Sequence, residues 1–184
     1  MKIYIIEKDK DKFKYLVPYF DDLEDVILIN TDFNTFMNEY NIECIVSPAN
    51  SFGIMDGGYD LAITNYFGKE LQNKVQNYII ENYYGEQPIG TSFIIDINEK
   101  QKLIHTPTMR IPSKIKDERI IYQCMRTTLI TAKQNNVENI LIPMFGSLTG
   151  GIHPRIVAKM MRYAYEQIQE PPEKLTWDYV RKLK

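Results

Sequence analysis

The stretch from Glu43 to Leu71, ECIVSPANSFGIMDGGYDLAITNYFGKEL, constrains the fold more than any other part of the chain. It starts as an apolar strand, Cys44-Ile45-Val46, breaks at Ser47-Pro48, crosses Asn50, Gly53, Asp56, Gly57 and Gly58, and ends as a helix. A strand, a glycine-bearing loop and a helix start together aim backbone N–H groups and the positive end of a helix dipole at an anion. Glycine lets the main chain approach a phosphate closely, because no Cβ stands in the way. An ordinary strand-to-helix connection also tolerates Gly-Gly. Here, however, the loop carries Asn50 and Asp56 too, and a second glycine-rich turn opens at Gly146. Two such loops predict a diphosphate held from two sides.

The remaining chain supplies alternating strands and helices. Lys2–Ile6, Val26–Ile29, Ser92–Ile97, Lys102–Thr106 and Asn139–Pro143 read as strands from their β-branched and apolar content. The unbroken apolar run of the last predicts a strand covered on both faces. Phe13, Leu16, Val17 and Phe20 suit one short helix ending near Pro18 to Asp21, and Phe33, Phe36, Met37 and Tyr40 suit another. Ile63, Phe67, Leu71, Val75 and Ile79 recur every fourth residue as the packing stripe of a helix. Two more amphipathic helices follow, over Arg119–Lys133 and after Pro154, the latter with Val157, Met160, Met161, Ala164 and Ile168 inward. After Pro171-Pro172, Trp177, Val180 and Leu183 share one face, which predicts a short docked helix over 171–184. No purpose is assigned to the loop from Thr108 to Glu118.

Bulk properties narrow the function. A chain of 184 residues predicts one domain, 1–184, with a core over about 26–168. A net charge of −2 argues against a nucleic-acid partner bound through phosphate neutralisation. No run reaches membrane-spanning length and the N-terminus lacks a signal-peptide core, so a soluble cytoplasmic protein is expected. Cys44 and Cys124 lack metal-like spacing, and His105 and His153 lie far apart, so neither a metal nor a cofactor is expected.

The run Val46-Ser47-Pro48-Ala49-Asn50, then Asp56-Gly57-Gly58-Tyr59-Asp60-Leu61-Ala62-Ile63-Thr64, then Tyr66-Phe67-Gly68, resembles the macro domain, an ADP-ribose-binding module. The family's usual signature there reads V-N-A-A-N, G-G-G-V-D-G-A-I-H, A-A-G. Leu103-Ile104-His105-Thr106-Pro107 is similar to its V-I-H-T-V-G-P strand, and Pro143 to Pro154 to its second phosphate loop. This chain departs at Ser47 for Asn, at Thr64 for His, and in a second loop one residue longer that lacks the usual aromatic. That loop has no Lys, and Arg155 is the nearest cation in sequence.

The resemblance implies a three-layer α/β/α sandwich on a mixed sheet of about six strands, with the site at the strand C-terminal ends. It implies Asp32 and Phe33 at adenine, although Asp32 also suits a helix N-cap. It implies Ala49 and Asn50 near the distal ribose. Gly57, Gly58 and Tyr59, with Gly146, Ser147, Leu148, Thr149, Gly150 and Gly151, would hold the diphosphate. Asn50, Asp56 and Asp60 are the candidate catalytic residues, Asp60 being open to a second reading as a helix cap. His105 reads as a hydrogen-bonded core residue ahead of a general base. The partner would be ADP-ribose or an ADP-ribosylated substrate. Three functions stay open: hydrolysis at the distal ribose, binding without chemistry, or binding of another nucleotide or RNA.

Overall fold

The computed structural model describes residues 1–183. Six strands form one mixed sheet in the order β2-β1-β6-β3-β5-β4. They are β1 (Lys2–Ile6), β2 (Val26–Ile29), β3 (Cys44–Ser47), β4 (Phe93–Asp96), β5 (Lys102–His105) and β6 (Asn139–Pro143). Only β4 runs antiparallel, pairing with β5. The helices are α1 (Lys10–Phe13), α2 (Val17–Phe20), α3 (Phe33–Glu39), α4 (Gly58–Phe67), α5 (Glu70–Tyr83), α6 (Arg119–Gln134), α7 (Pro154–Gln169) and α8 (Trp177–Lys182).

Strand alternation builds two cores. Ile3 and Ile5 of β1, Cys44 and Val46 of β3, Ile104 of β5, and Ile140 and Ile142 of β6 pack with α2, α6 and α7 on one face. Ile6, Ile45, Leu103 and Leu141 point the other way, against Phe36 of α3, Ile63 of α4, and Leu71, Val75 and Ile79 of α5. Because successive strand residues face opposite sides, each strand feeds both layers, which makes the three-layer α/β/α sandwich. All but one of the residues of β6 are buried, as its apolar run predicts.

Four expectations are corrected. The core begins at residue 2 and not near 26: β1 pairs with β2 on one edge and β6 on the other, so it is an interior strand. The predicted helix around Phe13 to Phe20 is two single turns, α1 and α2, with Pro18 inside the first turn of α2, where a proline costs no hydrogen bond. The packing stripe from Ile63 to Ile79 crosses a break. Gly68, at φ 95°, ends α4, and α5 restarts two residues later on the same face. In the tail, Trp177 is 75 % exposed and Val180 and Leu183 are also exposed, so the apolar face of α8 is not docked on the body. Trp177 and the half-buried Tyr179 lie two positions apart, about 200° around the helix, so they cannot both face the body.

Candidate functional site

The C-terminal ends of β1, β2, β3 and β6 open into one cavity of about 640 Å³, within the range of small-molecule sites. Open α/β sheets place their ligand sites at this edge, and strands lying side by side here come from distant parts of the chain. β3 and β6 are direct neighbours, with Cys44 opposite Ile140, so the two glycine loops that follow them face each other. Residues 56–60 line one wall, residues 146–150 the other, and Thr31, Asp32 and Phe33 after β2 close one end.

Both walls present main-chain donors. Earlier in the first loop, the N–H groups of Phe52 and Ile54 go to the Asn50 side chain and that of Met55 goes to Gln72. Among the described residues, no protein group accepts from the N–H of Gly57, Gly58 or Tyr59, which sit at the N-terminus of α4. The same holds for five consecutive N–H groups of the second loop, Gly146 to Gly150. Consecutive main-chain donors without a protein acceptor, one set at a helix start, are the kind of group that can hold an anion without a lysine.

Asp60 lies on the cavity floor, 8 % exposed, in the first turn of α4. The hydroxyl of Ser47, the last residue of β3, donates to its Oδ1 at 2.7 Å. Burial pushes the carboxyl up to about 7, against the lowering effect of the Ser47 bond. Asp60 does not cap the helix; Gly57 holds that position and contributes no side chain. Ser47 is the partner that sequence reasoning missed. Its only signal is a hydroxyl at a strand end, 13 residues before an acid in a helix's first turn.

The other expected residues divide. Asp56 is exposed and lines the cavity. Ala49 and Asn50 line it as well, but Asn50 is largely spent on its own loop. Its Oδ1 accepts from Phe52 and Ile54, and its Nδ2 donates to the Ile54 carbonyl at 2.7 Å. One amide hydrogen is left to face a ligand. Gly151 alone among the expected binding residues is not part of the cavity wall, because the Lys114 side chain lies over it. Thr64 is buried and outside the cavity; its hydroxyl donates to the Met55 carbonyl at 3.1 Å. A histidine there would point into packed protein. His105 is a core residue: fully buried, with Nδ1 2.6 Å from Gln87 Oε1 and its ring stacked on Phe93. Burial holds it neutral, its pKa down to about 3.

Asp32 caps a helix at the edge of the cavity. Its Oδ1 accepts from the Thr35 N–H at 3.0 Å and its Oδ2 from the Thr35 hydroxyl at 2.9 Å, capping α3, while the residue also lines the cavity beside Phe33. These bonds hold its carboxyl below the usual range. Asp32→Ala is expected to lose about 1 kcal/mol of stability with no ligand present. Asp32→Asn keeps an oxygen for the Thr35 N–H and should stay within about 0.5 kcal/mol in urea melts. Equal losses in both would show that the cap depends on charge.

The chain is thus a mixed α/β/α sandwich with two glycine loops facing each other over its strand ends. The sequence profile described as "Macro domain" matches residues 46–161, well over half of the chain, and the protein belongs to the macro domain family. An uncharacterized protein of Aquifex aeolicus (strain VF5) is 27% identical over 127 residues, 68% of this chain and 73% of that one. The macrodomain of Mycobacterium tuberculosis DarG superposes with a TM-score of 0.61 at 20% identity, covering 70% of this chain and 84% of that one. The Oceanobacillus iheyensis macrodomain with ADP superposes at 0.60 with 24% identity, covering 68% of each. No described helix is long and apolar enough to cross a membrane, and no three His, Cys, Asp or Glu side chains among the described residues cluster as metal ligands.

Proposed function

We propose that the protein binds ADP-ribose, or a molecule carrying it, and hydrolyses a bond at the distal ribose. The observation that carries this reading is the buried Ser47–Asp60 pair on the floor between the two donor loops. The loops suit a diphosphate, the Asp32–Phe33 end suits a purine, and a structure of the Oceanobacillus iheyensis macrodomain contains ADPR. A carboxyl titrating near neutrality is matched to moving a proton at cellular pH. Asp60 as the carboxylate takes a proton from a water that attacks the acyl carbon or phosphorus bonded to the distal ribose oxygen. The bond to that oxygen breaks, and the proton taken up by Asp60 passes to the leaving ribose oxygen, which departs as a hydroxyl and leaves Asp60 ionised again. Candidate substrates are an ADP-ribosyl ester, O-acetyl-ADP-ribose or ADP-ribose 1″-phosphate. Asn50, with one free amide hydrogen, and Asp56 at the rim would orient the sugar and the water.

A second reading, binding without turnover, draws on Asn50 being committed to its own loop and on Thr64 facing away from the cavity. ADP-ribose at about a hundred times its Kd is expected to stabilise the fold by about 2.7 kcal/mol, visible as a thermal shift. No shift at millimolar ADP-ribose, with folded protein, would remove both readings. Turnover of ADP-ribosylated Glu/Asp, Ser and Arg substrates and of ADP-ribose 1″-phosphate then separates them.

A further inference from the structure

The second glycine loop contains no cation, yet two lysines from elsewhere in the chain meet it. Lys12 of α1 donates from Nζ to the Ser147 carbonyl at 3.1 Å. On another side, the segment after Pro112 straps the loop down. The Ile115 N–H donates to the Gly150 carbonyl at 2.9 Å, and the Ile115 Cδ1 occupies the space a Cβ would need at Gly146 and Gly150. Lys114 lies over Gly151, its Nζ 2.6 Å from where a Cβ would sit. Neither lysine has a carboxylate partner among the ion pairs of the described residues.

The position of Lys12 has a consequence for the cavity. Ser147 and Leu148 line the cavity, whereas Lys12 does not, so the ammonium meets the loop from behind. Peptide bonds here are trans, so the Ser147 carbonyl and the Leu148 N–H point in opposite directions. A cation fixed on the carbonyl behind the loop turns the Leu148 N–H forward, and that N–H has no acceptor within the described protein. The same charge makes the forward-facing donors more attractive to an anion.

We propose that Lys12 is a positioning residue for phosphate recognition, holding the Ser147–Leu148 peptide so that the second loop presents its N–H groups to the cavity. The inference rests on the ADP-ribose reading for the nucleotide, but inorganic pyrophosphate reports on the loop without it. Wild type, Lys12→Met and Lys12→Arg are titrated calorimetrically with pyrophosphate and ADP-ribose, and with adenosine by NMR. Lys12→Met is expected to weaken pyrophosphate and ADP-ribose by about tenfold, the worth of one charge-assisted contact. Lys12→Arg, which keeps a charged donor for the carbonyl, recovers most of that loss, and adenosine binding is unchanged. Parallel weakening of adenosine, or no weakening of either phosphate ligand in Lys12→Met, overturns the proposal. Wild type that binds pyrophosphate but not ADP-ribose ends the ligand reading alone, and the pyrophosphate series then decides the role of Lys12. Wild type that binds neither ends both.

Discussion

At pH 8, Asp60→Asn should be more stable than the wild-type protein by several kcal/mol, and near pH 4 the two should match. In the unfolded chain Asp60 ionises near its ordinary value of 3.8, while in the fold it ionises at about 7 because it is buried. Between these values the native state holds a proton that the unfolded state has lost. Stability therefore falls as pH rises through this window and stays reduced above it. A shift of roughly three units corresponds to something on the order of 4 kcal/mol at full ionisation. Asn is neutral throughout and still offers an oxygen to the Ser47 hydroxyl, so it escapes the penalty. Urea melts of both proteins at several pH values between 4 and 8 test this. Equal stability at pH 8 would mean that the wild-type carboxylate is solvated there and that the floor of the cavity is open to water. The same substitution is informative for chemistry. If the protein is a hydrolase, Asp60→Asn should lower turnover by about 10²–10⁴ with little change in ADP-ribose affinity, as expected of a group acting on the proton in the transition state. The wild-type rate should rise with pH through about 7 as the base form appears. Unchanged turnover in Asp60→Asn would end its role as base.

Gly53→Ala should cost about 2–4 kcal/mol, although the residue lies in a loop. Gly53 has φ +62°, where a Cβ is strained, and that Cβ would stand 2.6 Å from Val75 Cγ1 and 2.9 Å from Ile79 Cδ1 on α5. Strain and overpacking add here, because the Asn50 side chain pins the loop on either side of it and leaves it little room to shift. Gly57→Ala is the control. Its φ of −147° is extended backbone that any residue adopts, and nothing lies within 4 Å of its Cβ position. A loss below about 1 kcal/mol is expected there, the size of an ordinary surface change. Chemical denaturation of the pair decides the matter. Equal losses would show that the 50–54 loop gives way and that α5 does not hold it.

Much of the fold was legible because it depends on local pattern. Short β-branched and apolar runs marked all six strands, and four-residue spacing marked the inner faces of α4 to α7. Gly57 and Gly58 announced a loop and a helix start within a few residues of each other. The resemblance to macro domains rested on that stretch together with residues 103–107 and 143–154, and it led to the correct layer arrangement. Local pattern also misled where two packings share one periodicity. The stripe from Ile63 to Ile79 is blind to the break at Gly68, since both helices present the same face to the sheet. Trp177, Val180 and Leu183 share a face whether or not anything covers it.

What the sequence by itself determined was which segments become the six strands and most of the helices, and that a glycine loop follows each of two strands. These properties are set by residues within a few positions of one another, through side-chain periodicity and the conformations that glycine permits. Only the tertiary structure decided what those loops face and what stands behind them. Pairing of β3 with β6 brings Gly57 and Gly146 to opposite walls of one cavity. It seats α4 so that Asp60 is buried on Ser47, and the wrapping of the chain brings Lys12 to Ser147 across 135 residues of sequence. Such contacts follow from sheet order and burial, which depend on how the whole core packs. No short stretch of sequence encodes a raised carboxyl pKa or a cation behind a distant carbonyl, because each arises from groups that only the folded chain brings together.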